Sequence, residues 1–412
     1  MPTLKLRAPN GVTSILLATV IAGGCGYLVT AIVAASRPAA DYVDFGVFWS
    51  ALYLVIAALS GLQQEVTRGT RRRLTSRHAS SPAFVFGAVS SLVTAVLIVG
   101  TAPLWKDAVF AESGWTFVVP LAVGAASYVV VAVLCGTMYG LELWRSISLM
   151  ISIDGILRLI GVLVLLGLAP DNRMLAWAVV LPFPLTPLLL WFFVRRGITG
   201  RSELDVGYRQ LVRNALGTVA AAAALGVLVS GFPLVLSALS PEASRAELGA
   251  SLAAINLIRA PLVIVVLSLQ SYFIVRFRNS PTRAYALFVR LTVVIGAVTL
   301  VAAALAWIIG PSLLALLGRD YSLSGAVLAG LVATSGVLAV LCVSGPLTLA
   351  RSQHGVFTAG WIVAATATVL ALLIPGDLAP RMLLSLAVGP ILGILVHLGG
   401  IHARERRSRL RV

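Results

Sequence analysis

Residues 40–68 read ADYVDFGVFWSALYLVIAALSGLQQEVTR, and this stretch decides the class of fold. The acidic residues Asp41 and Asp44 come first, a long apolar run follows, and Arg68 ends the stretch. A helix of about 20 apolar residues crosses the roughly 30 Å hydrocarbon core of a bilayer. The stretch is therefore predicted to be a membrane-spanning helix that leads into a basic loop.

Comparable apolar runs follow one another along the whole chain. Because 59% of the residues are hydrophobic and only 11% are charged, lipid rather than water must surround most of the protein surface. We therefore predict an all-α polytopic membrane protein of about 12 transmembrane helices. The predicted spans are 12–35, 43–64, 82–105, 115–140, 147–168, 173–194, 214–239, 246–275, 283–310, 322–345, 355–375 and 380–401.

The 31 Lys and Arg residues are concentrated in alternate connectors. The connectors that are rich in Lys and Arg are 68–78, 195–213, 276–290 and the tail 403–412. Because basic loops stay in the cytoplasm, this pattern predicts a multi-pass protein with both termini inside. The high content of Ala, Val, Leu and Arg suggests a bacterium, so the expected location is a bacterial inner membrane. The formal net charge of +16 is thereby explained by topology and by anionic membrane lipids, not by nucleic acid.

The longest polar connector, 195–213, divides the chain into two sets of six spans. We predict an N-terminal half over 1–194, a basic cytoplasmic linker over 195–213, a C-terminal half over 214–402 and a basic tail over 403–412. Two halves of equal topology imply a parallel repeat about a pseudo-two-fold axis along the membrane normal, with a substrate path between them.

A short pattern recurs in both halves and favours the repeat. In the first half Asp44 stands two positions before Gly46, and in the second half Glu247 stands two positions before Gly249. Each pattern runs through an apolar helix to a Leu-Gln step, at 62–63 and 269–270, and then to an Arg. The alternative is that helices entering from one side share acidic starts and basic ends.

Arg259 lies inside the eighth predicted span with no acidic residue within one turn of it. A charge within the bilayer is costly, so Arg259 should face the protein interior. A guanidinium stays charged and donates paired hydrogen bonds to phosphate. Arg259, with Asn256 one turn earlier, is therefore a candidate for binding a phosphate headgroup; the alternative is a packing role against Asp154 or a helix-end carbonyl.

Asp154 and Arg158 lie four residues apart in the fifth span, which places them on one helical face. They are either a self-neutralising structural pair or two groups on a polar cavity, with Arg158 available to an anionic headgroup. Gln63 and Gln270, at the ends of the second and eighth spans, are candidates for lining the inner mouth of that cavity, although such residues are often simple interfacial ends.

The sequence contains no nucleotide-binding loop, hydrolase motif or cysteine cluster, and its histidines are not spaced as ligand pairs. Cys25, Cys135 and Cys342 all fall in apolar runs, as small core residues do. We predict no catalytic residue, metal or cofactor, and no ATP hydrolysis. A coupling ion, H⁺ or Na⁺, or the membrane potential would then supply the energy.

Residues 40–68 resemble the polysaccharide-biosynthesis flippases of the multidrug/oligosaccharidyl-lipid/polysaccharide exporter (MOP) superfamily. The second helix of that family is similar: it begins with an acid, an aromatic residue, Gly and another aromatic residue, here Asp44-Phe45-Gly46-Val47-Phe48. Its helix eight often has a polar residue, then Arg, then Pro, and the similar residues here are Asn256, Arg259 and Pro261. The resemblance extends to the layout of the whole chain, although the chain is short and Phe45 replaces the usual Tyr.

The resemblance implies a bundle that moves polyprenyl-diphosphate-linked saccharides from the inner to the outer leaflet by alternating access. Cavity arginines would receive the phosphates, and envelope glycosyltransferases or polymerases would be partners. Two other functions stay open. A major-facilitator transporter also has this layout, with RGTRRR at 68–73 as a weak loop motif; a membrane glycosyltransferase would use Asp41 or Asp44 as a catalytic carboxylate.

Overall fold

The structure is a computed structural model of the 412-residue chain. It describes residues 10–72, 82–111, 114–168, 171–199, 202–204, 207–268, 270–279 and 283–409. The basic segment 73–78 and the last residues of the tail, 410–412, lie outside the described residues, as does Leu269 of the repeated Leu-Gln step.

The first six predicted spans form helices α1 to α7. The first five are single helices, whereas the sixth is divided at Leu181 into α6 and α7. Asp171 begins the sixth span by accepting a hydrogen bond from the Met174 amide (2.8 Å), which caps α6. The helices are α1 (Asn10–Ala35), α2 (Ala39–Gly69), α3 (Pro82–Phe110), α4 (Gly114–Gly140), α5 (Trp144–Leu166), α6 (Asn172–Val180) and α7 (Pro182–Ile198).

The last six predicted spans form helices α8 to α15. In the seventh span, α8 passes through a π-helical turn, Val227–Gly231, into α9. The eighth span consists of α10 and α11. The helices are α8 (Tyr208–Gly226), α9 (Phe232–Ala238), α10 (Arg245–Ser268), α11 (Gln270–Asn279), α12 (Ala284–Ala315), α13 (Gly325–Ala350), α14 (His354–Ala371) and α15 (Leu378–Arg409).

Within the described residues, eleven helical segments are long and apolar enough to cross a membrane. They coincide with every predicted span except 246–275, which corresponds to α10 and α11. The predicted all-helical polytopic fold is therefore confirmed. A short antiparallel pair of strands was not predicted: β1 (Thr70–Arg72) pairs with β2 (Ser202–Leu204), with Thr70 opposite Leu204. This pairing holds the basic connectors after the second and sixth spans together on one side.

Helix packing repeats between the two sets of six spans, as the sequence predicts. In the first set, α3 packs on α4, and both α4 and α5 pack on the divided sixth span, α6 and α7. In the second set, α12 packs on α13, and both α13 and α14 pack on α15. The third span thus packs on the fourth, and the fourth and fifth pack on the sixth, in each set.

The described chain forms two compact units. Unit 1 comprises Met1–Val29 and Val55–Ala223, and unit 2 comprises Thr30–Leu54 and Ala224–Val412. Helix α2 thus contributes its first part to unit 2 and its second part to unit 1. These units are defined by packing, whereas the predicted halves are defined by order along the chain, so the seam at 195–213 stays a prediction.

In unit 2, the first part of α2 packs closely on α10, and the repeated acid-Gly pattern explains why. A Cβ atom on Gly249 would lie 1.8 Å from the Ala39 carbonyl oxygen, so only glycine fits at that position. Gly46 in turn lies against Leu252, and Asp44 forms an ion pair with Arg245 (2.7 Å). The acid of the first motif therefore pairs with the helix that carries the second.

We expect Gly249→Ala to destabilise unit 2, because the added methyl group overlaps the backbone of α2. Overpacking of this kind costs about 1–3 kcal/mol. The measurement is the apparent Tm of the purified protein in detergent, and the expected result is a clear decrease. Gly100→Ala in α3 is the matched control, since nothing lies within 4 Å of a Cβ there. Equal Tm values for both variants would contradict the observed packing.

Candidate functional site

Arg259 of α10 is the most deeply buried cationic side chain among the predicted site residues, with 3% of its surface exposed. Its Nη2 donates a hydrogen bond to the carbonyl oxygen of Leu228 (3.1 Å), and its guanidinium lies 5.7 Å from the centre of the Phe232 ring. In the part of the chain that is described, its Nε and Nη1 atoms are buried and have no hydrogen-bond partner. Arg259 therefore retains donors for an acceptor that the described protein does not supply.

The Leu228 carbonyl is available to Arg259 because of the local helix geometry. Leu228 lies in the π-helical turn Val227–Gly231. In a π-helix each carbonyl pairs with the N–H five residues later, and position 233 is proline, which has no N–H. The π-turn and Pro233 thus leave a carbonyl facing Arg259, and Phe232, the first residue of α9, supplies an aromatic face.

Asn256 lies one turn before Arg259 on α10, and its amide is already engaged. Its side-chain nitrogen donates to the Tyr42 hydroxyl of α2 (3.3 Å), and Tyr42 is fully buried. Both residues belong to unit 2. The structure therefore places Asn256 on the contact between α10 and α2, close in sequence to Arg259 but with a bond of its own.

Asp154 and Arg158 form a buried ion pair in unit 1. Arg158 Nη2 donates to Asp154 Oδ2 (2.7 Å), and the two side chains are 6% and 20% exposed respectively. Arg158 Nε also donates to the Val179 carbonyl of α6 (3.1 Å), and its guanidinium lies 4.7 Å from the centre of the Phe183 ring. This arrangement is the self-neutralising pair that the sequence allows, with the helix break at 181 supplying further partners.

The two arginines have similar surroundings in different units. Each binds a backbone carbonyl beside an interrupted helix and faces a phenylalanine that precedes a proline, in Phe183-Pro184 and Phe232-Pro233. They differ in charge balance, because Arg158 has a carboxylate and Arg259 makes no described ion pair. The two phenylalanines were not among the predicted site residues, although the repeated Phe-Pro step was a signal that could have found them.

The structure gives less information about the last two predicted site residues, Gln63 and Gln270. Gln63 is half-buried near the end of α2, where its backbone carbonyl accepts a hydrogen bond from Thr67 Oγ1 (2.7 Å). Gln270 begins α11, and its side chain lies outside the described residues. The roles of both at an inner mouth stay predictions. In the described segments, no cluster of three His, Cys, Asp or Glu residues is suited to hold a metal ion.

Asp44 is one of the two carboxylates that the glycosyltransferase alternative would use. It is held in the ion pair with Arg245, which suits a structural link better than a catalytic base. Nearby in unit 2, the Tyr321 hydroxyl donates to the Arg37 carbonyl (3.2 Å), and burial raises the pKa of Tyr321 above its ordinary value. Because the phenol stays neutral, that hydrogen bond persists at physiological pH.

Solved structures with the same fold are transporters. An inward-facing multidrug resistance MATE family transporter of the MOP superfamily matches with a TM-score of 0.66 and 16% identity, covering 97% of this chain and 98% of that one. The lipid II flippase MurJ, in an inward closed conformation, matches with a TM-score of 0.69 and 11% identity over 94% and 87% of the two chains. A MOP superfamily transporter from Pyrococcus furiosus, whose binding pocket has reversed polarity, matches with a TM-score of 0.61 and 16% identity over 98% and 96%.

These matches define the class: the chain is a multi-pass membrane protein with the MOP-superfamily transporter fold, as the resemblance in the sequence implied. Its curated relatives include the uncharacterized protein Rv1510 of Mycobacterium tuberculosis H37Rv, 32% identical over 96% of this chain and 93% of that protein. Rv3630 of the same strain is 30% identical over 95% and 92%. The chain belongs to the family of these mycobacterial proteins. No protein-family model matches it.

Proposed function

We propose that the protein is a flippase that moves a polyprenyl-phosphate- or diphosphate-linked saccharide from the inner to the outer leaflet for assembly of a cell-envelope polysaccharide. The observation that supports this proposal most directly is Arg259, whose Nε and Nη1 atoms are buried and lack a partner in the described chain. A substrate with an anionic headgroup would satisfy those donors.

The chemistry of Arg259 suits a phosphate headgroup. A guanidinium binds phosphate oxygens through several directed hydrogen bonds and remains charged when desolvated. A buried arginine that binds only one carbonyl leaves the protein with an uncompensated charge, which is costly within a bilayer. Its retention there is easier to explain if the substrate supplies the missing negative charge during the transport cycle.

The fold is consistent with this proposal, but transporters with this fold carry different kinds of substrate. The MurJ structure is that of a lipid II flippase, whereas the MATE structures are those of multidrug transporters. In unit 2 the buried Arg259 would attract anions and repel cations, so we assign the protein to the lipid-linked saccharide group. The alternative of a major-facilitator transporter was based on the number and arrangement of the spans. Because the chain has the MOP fold, that arrangement no longer favours the alternative.

In the proposed cycle, the headgroup binds near Arg259 from the cytoplasmic side while the polyprenyl tail stays in lipid. The protein then changes between inward- and outward-exposed states, with the interrupted helices α6–α7 and α8–α9 as candidate hinges. An ion gradient or the membrane potential would reset it. The ion pair Asp154–Arg158 would act in unit 1 mainly as a structural element, with Arg158 available to substrate only if Asp154 releases it.

Conditional depletion in the bacterial host tests the function. Lipid-linked saccharides are extracted after depletion, and their sidedness is assayed with a membrane-impermeant reagent. We expect a complete lipid-linked saccharide to accumulate on the inner leaflet, because its removal across the membrane has stopped. Re-expression of the wild-type chain should clear the pool and is the control.

Two other outcomes would each replace the proposal. If the saccharide reaches the outer leaflet but lacks one sugar, the protein acts as a polyprenyl-phosphate-sugar-dependent glycosyltransferase. If neither the composition nor the sidedness of the pool changes, it transports something other than a lipid-linked saccharide.

A further inference from the structure

His397 of α15 is completely buried within unit 2, at the centre of three packed helices. Its Nδ1 lies 2.8 Å from Ser344 Oγ of α13, and its Nε2 lies 3.1 Å from the Phe357 carbonyl oxygen of α14. Its ring stacks on Phe357, with a centroid distance of 6.2 Å, and meets Trp361 edge-on at 6.4 Å. Both ring nitrogens thus have defined partners inside the membrane-spanning region.

The helices around His397 are shaped to admit the ring. A Cβ atom on Gly360 of α14 would lie 2.2 Å from His397 Nε2, so any larger residue there would displace the imidazole. One turn away along α15, a Cβ on Gly393 would lie 2.9 Å from the Gly360 carbonyl oxygen. Small residues let α14 and α15 approach closely, as in other membrane helix pairs, and the space that remains is filled by the histidine.

The hydrogen-bond partners of His397 can serve both protonation states. The Phe357 carbonyl only accepts, so Nε2 must carry a hydrogen in either state. In the neutral ring, Nδ1 then accepts the hydrogen of the Ser344 hydroxyl. In the imidazolium ring, Nδ1 donates to Ser344 Oγ, and the hydroxyl can donate instead to the Leu341 carbonyl, which lies 2.9 Å away. Rotation of one hydroxyl therefore converts the site from one state to the other.

The groups that face His397 do not fix its charge. On α13 the adjoining buried cluster contains the Cys342 thiol, and α14 carries His354, which is exposed and one turn before Phe357. Arg259 is the charged group that interacts electrostatically with Cys342. Among the described residues, the recorded partners of the His397 ring are a hydroxyl, a carbonyl and two aromatic rings, not a carboxylate. A proton bound there would be held by dipoles, so it could also leave.

A continuous packed route connects His397 with Arg259. Trp361, which contacts His397, belongs to the same buried cluster as Leu228 and Cys342. Leu228 lies in the π-helical turn and accepts the hydrogen bond from Arg259. Helix α14 packs directly against that π-turn. A change at His397 can therefore reach the carbonyl that positions Arg259 through neighbouring residues of one unit.

We propose that His397 and Ser344 form a proton-binding site, and that protonation of this site is coupled through Trp361 and the π-helical turn to anion binding at Arg259. The coupling part rests on the proposed function, whereas proton binding at His397 does not.

The first experiment measures proton binding directly. The chain has four histidines, so the purified protein is labelled with ¹⁵N-histidine in lipid nanodiscs, and His397→Gln identifies the His397 signals. Glutamine can retain a donor to the Phe357 carbonyl, which protects the fold. We expect the His397 ring to change from one protonated nitrogen to two as the sample is acidified stepwise from neutral pH.

Ser344→Ala separates a proton site from a merely structural histidine. A hydrogen bond to a charged group is stronger than one to a neutral group, so loss of the hydroxyl should weaken the imidazolium more than the neutral ring. We expect proton affinity to fall about tenfold, which moves the midpoint down by about one pH unit. An unshifted midpoint would remove Ser344 from the site. A ring that keeps one protonation state over the whole pH range in which the protein stays folded would overturn the proposal.

A second measurement tests coupling with a polyprenyl phosphate as the probe. Its binding to the nanodisc protein is titrated at two pH values on either side of the His397 midpoint. Coupling predicts that the affinity of the wild type changes with pH and that the affinity of His397→Gln does not. If His397 titrates but affinity is the same at both pH values, the proton site stands and its coupling to Arg259 is refuted. If wild-type protein does not bind the probe, the proposed function fails, while the histidine titration is still interpretable.

Discussion

Arg259→Gln is expected to abolish transport of the lipid-linked saccharide while the protein still inserts and folds. Glutamine keeps polar hydrogens for the Leu228 carbonyl but removes the positive charge and the Nε and Nη1 donors that are buried without a described partner. Loss of a desolvated, hydrogen-bonded charge from a binding site costs about 2–5 kcal/mol, so substrate affinity should fall by a factor of roughly 30 or more. The measurement is failure of the variant to clear the inner-leaflet pool after depletion of the wild type.

Two further variants make this result specific. Arg259→Lys keeps the charge but not the planar set of donors, so we expect partial activity at most. Arg245→Gln removes another arginine from the same helix, one that is half-exposed and paired with Asp44, and should leave transport largely intact. Normal transport by Arg259→Gln, with the variant present in the membrane at wild-type abundance, would remove Arg259 from the substrate site.

Breaking the Asp154–Arg158 pair is expected to have the largest effect on stability. Asp154→Asn leaves Arg158 buried with 6% of its side chain exposed and its charge uncompensated. Removal of one partner from a buried pair costs about 3–5 kcal/mol, whereas replacement of both by apolar residues is often neutral. We therefore expect Asp154→Asn to lower the apparent Tm strongly and the double variant Asp154→Leu/Arg158→Met to restore much of it.

The same three proteins decide between the two roles that the sequence allowed for Arg158. If the pair is structural, the double variant should be stable and should also transport the substrate. If Arg158 binds substrate, the double variant should be stable but inactive. A single Asp154→Asn variant with unchanged Tm would show that Arg158 is compensated by the Val179 carbonyl and the Phe183 ring alone, contrary to expectation.

The spans could be predicted from sequence because a bilayer imposes one local rule on every helix. About 20 apolar residues are needed to cross it, and backbone groups must be satisfied within the helix. This rule located all of the helical spans, from α1 to α15, within a few residues at most boundaries. It did not reveal that the sixth span is divided at Leu181 or that the seventh contains a π-turn, since prolines permit several geometries.

The candidate site was only partly predictable for a different reason. Arg259, Arg158 and Asp154 could be selected individually because a charge within an apolar run is unusual. Asp154 and Arg158 are partners within one helix, but the backbone carbonyls that the two arginines bind are distant in sequence. Val179 lies 21 positions from Arg158, and Leu228 lies 31 positions from Arg259. His397 was passed over altogether, because a lone histidine in an apolar run carries no spacing signal, and Ser344 lies 53 positions away.

The sequence alone was enough to predict a helical membrane protein of about 12 spans, because the length and hydrophobicity of each run act locally along the chain. The tertiary structure decided which buried charges are already neutralised and which retain free donors. It paired Arg158 with Asp154 and left two nitrogens of Arg259 without a described partner. The spacing of Asp154 and Arg158 on one helix already allowed their pairing, whereas the bond from Arg259 to Leu228 joins segments that are far apart in sequence, where packing rather than pattern sets the hydrogen bonds.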